Sequence, residues 1–321
     1  MSASVNNQAA QIRGGDVRAI SRAITAIENG DPAAESLLRE LFPHTGKAFR
    51  LGITGAPGTG KSTLVDRLAA HYRTQQKSVG IIAVDPSSPF SGGSILGDRI
   101  RMQGHAGDSG IYIRSMATRG FLGGLARATT DVALVLDAAG KDVVVVETVG
   151  VGQDEVDIIQ LADCTIVVLV PGLGDEVQHI KAGLMEIGDI FVLNKADREG
   201  TDRIEQQLLA MLSLAPERDG WRPPLLRTVA TEGKGIAELA AKVEEFRNLT
   251  VARHDASARQ VARWKKRLLE LLQARLLDRV LERHLNANEL DAMAAEVAAR
   301  NMDPYAAVNE VLARAGLGKS T

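Results

Sequence analysis

Residues 48–63 read AFRLGITGAPGTGKST, and the fold follows from that one line. Residues 48–54 are an apolar, β-branched run of strand character, and residues 55–62, GAPGTGKS, match the pattern of Gly, four residues, then Gly-Lys-Ser/Thr. A strand that ends in glycines and continues as a helix gathers backbone N–H groups and the positive helix end at one point, which suits a phosphate chain. Gly55, Gly58 and Gly60 let the backbone turn its N–H groups inward. The run Gly55, Ala56, Pro57, Gly58, Thr59, Gly60, Lys61, Ser62 and Thr63 is therefore the expected phosphate cradle. Within it Lys61 is suited to neutralising the β and γ phosphates and Ser62 to ligating Mg2+. A glycine-rich turn with an exposed lysine is the plainer alternative, and the flanking strand and helix argue against it.

Outward from this loop the strand-then-helix alternation repeats. Strands are expected at 48–54, 78–84, 142–148, 164–170, 189–194 and 224–230, with a further one at 111–116; helices are expected near 61–76, 121–139, 175–187, 201–214 and 235–248. Near-continuous apolar strands separated by helices mean an α/β fold, a mainly parallel sheet flanked by helices, of the P-loop NTPase type. Ahead of it, residues 13–42 read as two short helices, with Ile20, Ile24 and Ile27 at helical spacing and Asp31-Pro32 opening the second. After about residue 252 only helical periodicity remains: a long amphipathic helix carrying Val261, Trp264, Leu268, Leu272 and Leu276, then shorter ones near 287–300 and 303–315. The expected division is an N-terminal helical extension (1–46), a nucleotide-binding domain (47–250) and a C-terminal helical region (251–321). The apolar stripe of that last region must be buried against its own domain or a second subunit, and the pattern does not choose between them.

Composition narrows the function classes. Of 321 residues 45% are hydrophobic and 24% charged, the usage of a folded globular chain. Lys plus Arg number 38 against 40 Asp plus Glu, so no overall positive field calls for nucleic acid or an anionic membrane as partner. The single cysteine, Cys164, sits in the apolar run CTIVVLV and reads as a small buried hydrophobe, which fits a reducing compartment. No apolar stretch approaches the roughly 18 residues of a membrane span. The start, MSASVNNQAAQIRGG, resembles neither a signal nor a transit peptide, so a cytoplasmic protein is expected.

A second motif chooses the nucleotide. NKAD at 194–197 closes an apolar strand, where ligands bind in open parallel sheets. Asp197 can accept from the guanine N1–H and exocyclic amine, a donor pair adenine lacks, while Asn194 braces the loop and Lys195 lays its stem along the purine. This selects GTP, with GDP as product. On the loop after the last strand, TVATEGKG (228–235) is expected to close over the base through backbone N–H groups at Ala230 and Thr231. For the metal, Asp85, Asp98 and Glu147 stand with Ser62 as oxygen donors at strand ends. Asp98 has a plainer reading as an ion-pair partner of Arg99 or Arg101. Glu147-Thr148-Val149-Gly150 stands where many GTPases have Asp-x-x-Gly, with Gly150 placed to offer its N–H to the γ phosphate. The position of the glutamine that orients water in many GTPases is Val151 here, so turnover by the isolated protein is expected to be slow.

Taken together, GAPGTGKST, VDPSSPFSGGSILGDRIRM (84–102), IRSMATRGFLGGLA (113–126), ETVGVGQDE (147–155), VPGLGDEVQHIKAG (170–183) and NKAD resemble the GTPase chaperones of adenosylcobalamin-dependent methylmalonyl-CoA mutase. The resemblance covers the sheet domain in order. It implies a first switch at 85–102 with Asp85 and Asp98 near the metal, a second at 147–157, and a third at 174–183 whose charged members are Asp175, Glu176 and Lys181. It further implies a homodimer joined through the C-terminal helices, and a client, methylmalonyl-CoA mutase or a related acyl-CoA mutase, for which the nucleotide state gates cofactor delivery and repair. The chain has no cobalamin-ligating Asp-x-His-x-x-Gly, so adenosylcobalamin is expected on the partner.

Three rival readings share the phosphate loop. A nickel-delivery GTPase for hydrogenase or urease maturation needs His- or Cys-rich clusters, against six scattered His and one Cys here. A P-loop kinase would replace water by an acceptor hydroxyl, and NKAD speaks against its usual donor, ATP. A signal-recognition-type GTPase would bring a Met-rich helix, and the chain has seven Met and no such helix.

Overall fold

The computed structural model describes residues 2–85, 103–105, 107–117, 124–148, 161–172, 188–214, 217–218, 220–252, 255–285 and 287–317. Two compact units result, Met1–Arg253 and His254–Thr321.

The first unit is built on seven parallel strands: β1 (Phe49–Thr54), β2 (Val79–Asp85), β3 (Ile111–Ala117), β4 (Val143–Glu147), β5 (Cys164–Leu169), β6 (Ile190–Asn194) and β7 (Leu225–Thr228). Their order across the sheet is β3-β2-β4-β1-β5-β6-β7, so β1 and its phosphate loop lie at the centre. All six pairings are parallel. Each expected strand is present. The reason shows in β4, where four consecutive valines are all buried: Val143 and Val145 join one core while Val144 and Val146 join the other. A strand covered on both faces has no polar side to show, hence the continuous apolar run.

Helix α4 (Lys61–Thr74) and α7 (Ile236–Ala252) cover the first face, with Leu64, Leu68, Leu239, Val243 and Phe246 packed on Leu51, Ile53, Ile81 and Ile166. On the other side α5 (Gly124–Ala138) packs with the N-terminal helices on Ile82, Val84, Val144 and Val146, and α6 (Thr201–Leu214) covers β5 and β6 through Leu208 and Leu212. Cys164 is buried, as its apolar setting requires. The helix expected at 175–187 lies outside the described residues.

The N-terminal extension has three helices rather than the expected two: α1 (Ser2–Arg13), α2 (Val17–Glu28) and α3 (Pro32–Leu41). SASVNNQAAQIR carries too few apolar residues to mark α1, yet Ala9 and Ile12 are enough to anchor it in the core. Asp16 caps α2 through Ala19 N, and Asp31 caps α3 through Ala33 N ahead of Pro32. Along the edge strand β3, the Ser21 hydroxyl meets the Tyr112 hydroxyl at 3.2 Å and Arg114 pairs with Glu28, so α2 closes that edge. Where the extension enters β1, the buried Asp137 of α5 accepts backbone N–H groups from Gly46 (2.6 Å), Lys47 (3.1 Å) and Ala48 (3.0 Å).

The second unit holds α8 (Asp255–Arg283), α9 (Ala287–Ala298) and α10 (Pro304–Arg314), the last capped by Asp303. On α8, Val261, Leu268, Leu272, Leu276 and Leu277 are all exposed. No helix among the described residues is long and apolar enough to cross a membrane.

Asp137→Ala strips three backbone donors of a charged acceptor, so a loss of about 2–3 kcal/mol in urea-unfolding stability is expected, with nucleotide affinity unchanged.

Candidate functional site

The carboxyl ends of β1, β2, β4 and β6 lie along one edge of the sheet, and the described candidate site residues stand there, on the adjoining loops or in the first turn of α4. Gly55 follows β1 at φ 145°, and a Cβ on it would lie 2.2 Å from the Val168 carbonyl oxygen of β5. Gly60, at φ 90°, would press a Cβ to 2.5 Å from Asn194 Nδ2. The loop between them is squeezed from both sides, so glycine is required at each end by space as well as by backbone angle.

Lys61 opens α4 but its side chain turns back, and its buried ammonium donates to the Gly55 carbonyl (2.5 Å) and the Ala56 carbonyl (2.9 Å). Thr59 is buried and its hydroxyl donates to Ala56 O at 2.9 Å. One residue into the helix, Ser62 Oγ donates to Glu147 Oε1 at 2.7 Å, and both residues are buried. The sheet register explains this meeting: Glu147 ends β4 opposite Ile53 of β1 on one side and Ala83 of β2 on the other. Asp85 closes β2 at the same edge. A hydroxyl and a carboxylate in contact, with a second acidic residue ending the neighbouring strand, make the hard oxygen donor set that Mg2+ takes. Beside them Thr148 N donates to Ile53 O at 3.0 Å, and the Thr148 hydroxyl bonds that of Thr54 at 3.1 Å, closing the β1–β4 seam.

The other end of the edge is organised by Asn194. Its Nδ2 donates to Thr59 O in the phosphate loop at 2.8 Å, while its Oδ1 accepts from the Thr228 hydroxyl (3.0 Å) and from Ala230 N (3.2 Å). Lys195, held at φ 56°, reaches back so that its ammonium donates to Gly58 O at 2.7 Å. Asp197 is exposed at the rim. Lys234 pairs with Glu232 at 2.6 Å, and its affinity for its proton is raised first by that bond and least by the charge of Asp197. Ala230, expected on the base side, has its N–H donating to Asn194 Oδ1 in this structure. Thr231 lies on the same loop, its carbonyl accepting from Arg67 of α4 at 3.1 Å. Asp98, Gly150, Asp175 and Lys181 lie outside the described residues.

The sequence reading did not assign roles to Thr228, Arg67 and Lys234. Thr228 could have been marked as the hydroxyl ending β7 beside the Asn194 strand; Arg67 and Lys234 carry no sequence signal of their own.

Comparison with known proteins follows the same lines. A family model described as methylmalonyl-CoA mutase-associated GTPase MeaB matches residues 20–285. A Pyrococcus abyssi protein whose name classes it provisionally as a GTPase is 48% identical over 308 residues, 94% of each chain. The mouse protein named methylmalonic aciduria type A homolog, mitochondrial, is 36% identical over 234 residues, covering 72% of this chain and 56% of that one. Among solved structures, one titled LAO/AO transport system kinase superposes with a TM-score of 0.74 at 25% identity, covering 98% of this chain and 99% of that one. The chain belongs to the MeaB family of GTPases associated with methylmalonyl-CoA mutase.

Asp197→Asn is expected to weaken GTP binding by about 2–3 kcal/mol, the worth of a charge-assisted pair, and to leave ATP binding unchanged; titration calorimetry with both nucleotides checks this.

Proposed function

Taking membership of that family as the premise, we propose that the protein is a Mg2+-dependent GTPase, converting GTP to GDP and phosphate, that serves as a chaperone of methylmalonyl-CoA mutase or a related acyl-CoA mutase. The observation that supports GTP most directly is the bridge made by Asn194. One side chain ties the phosphate loop at Thr59 to the base-side loop at Thr228 and Ala230, fixing the distance between a triphosphate subsite and a purine subsite. Asp197 then supplies the acceptor that guanine matches and adenine does not.

In this reading the phosphate loop N–H groups and Lys61 hold the phosphates. The Lys61 ammonium exchanges its two loop carbonyls for phosphate oxygens, a better partner for a buried cation. Ser62, Glu147 and Asp85 hold Mg2+, with Asp98 as a further donor; the ion, when bound, neutralises charge on the β and γ phosphate oxygens. Gly150 offers its N–H to the γ phosphate, and Asp175 and Lys181 act from the third switch. Lys195 backs the purine face, and the 228–235 loop closes the base side around Ala230 and Thr231.

Loops ordered by the γ phosphate and released after hydrolysis present two surfaces to a client, which makes the nucleotide a timer for delivery and repair of adenosylcobalamin held by the mutase. The family description and the mouse relative's name support the mutase as client. The exposed leucine stripe of α8 supports a homodimer, because a second copy would remove it from water.

Two outcomes are expected. Purified protein should release phosphate from GTP slowly, with the rate rising at least about tenfold when a cobalamin-dependent acyl-CoA mutase is added; transfer of the γ phosphate to a small-molecule hydroxyl instead would support the kinase reading. In sedimentation experiments the protein should run as a dimer, and the double variant Leu268→Asp, Leu272→Asp as a monomer that still binds GDP.

A further inference from the structure

Where β4 ends, two consecutive residues are sent to opposite faces of the sheet, as strand geometry requires. Val143 and Val145 belong to the core that α4 covers, and Val144 and Val146 to the core on the other face. The alternation carries Glu147 to the α4 side, where it meets Ser62, and Thr148 to the far side. Thr54, the last residue of β1, lies on that same far side, one position after Ile53 of the first core. There the Thr148 hydroxyl donates to the Thr54 hydroxyl at 3.1 Å, and the two residues are 2% and 0% exposed.

The contact stands at a fork. Register pairs between β1 and β4 run from Phe49 with Val143 to Ile53 with Glu147, and Thr148 N then donates to Ile53 O at 3.0 Å. One position further β1 leaves the sheet as the phosphate loop, with Gly55 at φ 145°, and at that point the two chains are joined by their hydroxyls. Each end of the tie adjoins the site. Thr54 precedes Gly55, whose carbonyl accepts from the Lys61 ammonium at 2.5 Å, and Thr148 follows Glu147, which accepts from Ser62 at 2.7 Å. Packing alone would be served by two valines of the same shape. What the hydroxyls add is one directional bond of set length between strands that are parting.

We propose that Thr54 and Thr148 are a positioning pair for the metal carboxylate: their hydroxyl bond fixes the end of β4 against β1, and with it the place of Glu147 beside Ser62. Both side chains face away from Ser62, so they act through Glu147 and not on the ion. The demand for such a tie comes from the cation. Mg2+ takes near-ideal octahedral geometry at about 2.0–2.1 Å, so a carboxylate that serves it tolerates little displacement. A strand end free to shift loosens that geometry before it loosens the fold.

This inference rests on the proposed Mg2+-dependent GTPase reading, and two binding constants keep them apart. One is the affinity for a non-hydrolysable GTP analogue in EDTA; the other is the Mg2+ concentration that half-saturates the protein–analogue complex, by titration calorimetry. Both are measured, with the thermal midpoint, on the parent protein, Thr148→Val, Thr54→Val, Thr148→Ser, the double valine variant and Asp137→Ala. Each single valine variant should raise the Mg2+ requirement about tenfold, the scale of one hydrogen bond, and move the analogue's affinity in EDTA by less than about twofold. Thr148→Ser keeps the hydroxyl and should keep the parent value. In the double valine variant no hydroxyl is left unmet, so the thermal midpoint should recover while the Mg2+ requirement stays high. Asp137→Ala should lose stability and bind Mg2+ as the parent does. An unchanged Mg2+ requirement in both single variants, an equal loss of analogue affinity in EDTA, recovery of Mg2+ binding together with stability in the double variant, or the same rise in Asp137→Ala would overturn the inference. Should a single variant fail to fold, the double variant and Thr148→Ser decide on the same criteria. A parent protein that binds no analogue, with or without Mg2+, would instead remove the GTPase reading.

Discussion

The side-chain amide of Asn194 is the joint on which the site depends. A carboxamide has a donor end and an acceptor end, and here each faces a different loop: the donor holds Thr59 O of the phosphate loop and the acceptor holds Thr228 and Ala230 beyond β7. Asn194 is buried, so each of these bonds is made in a setting where an unmet partner would cost about 1–3 kcal/mol. An aspartate could not donate and would set a carboxylate oxygen against the Thr59 carbonyl oxygen; a leucine would leave three polar groups without partners. The same amide limits what its neighbour can be, because Gly60 comes so close that any side chain would displace it. The glycine and the asparagine are thus one constraint expressed at two points 134 positions apart in the sequence, as 194 minus 60 gives.

The sheet order gives this joint its place. With β1 at the centre, β4 on one side and β5 on the other, the phosphate loop leaves the sheet where its neighbours also end. Glu147 arrives from β4, and the β5 backbone at Val168 closes on Gly55. Parallel strands in this register bring their carboxyl ends to a common edge, so residues far apart in sequence need no long loops to meet.

Much of this was legible before any coordinates. The strands declared themselves because burial on both faces leaves continuous apolar runs such as VVVVE, and the phosphate loop because its glycines, lysine and serine are fixed by spacing. The place of Glu147 at a strand end follows from the four valines before it, and that of Asn194 from the apolar run that NKAD closes. What was not legible is of two kinds. Helix α1 escaped because Ala9 and Ile12 make too thin a stripe for periodicity to register, although tertiary packing needs no more than that. The partners of Asn194 and the contact of His105 with α4 escaped because they are long-range: nothing in the local sequence says that His105 will meet Asp66, or that Ala230 N will donate to Asn194.

Helix α4 carries the last step. Asp66 and Arg67 are consecutive, and consecutive helical residues point about 100° apart. Asp66 therefore meets His105 of the short turn 103–105, while Arg67 reaches a different neighbour and donates to Thr231 O on the loop after β7. A helix held on both sides in this way cannot roll toward one without pulling on the other. Its first turn also bears Lys61 and Ser62, so whatever moves those two residues is felt at both attachments. Both attachments end on backbone carbonyls, Asp66 O for His105 and Thr231 O for Arg67; the first is largely shielded, whereas Arg67 is exposed and its bond exchanges readily with water. The loop after β7 does not depend on Arg67 for its place, because Asn194 ties it separately to the phosphate loop.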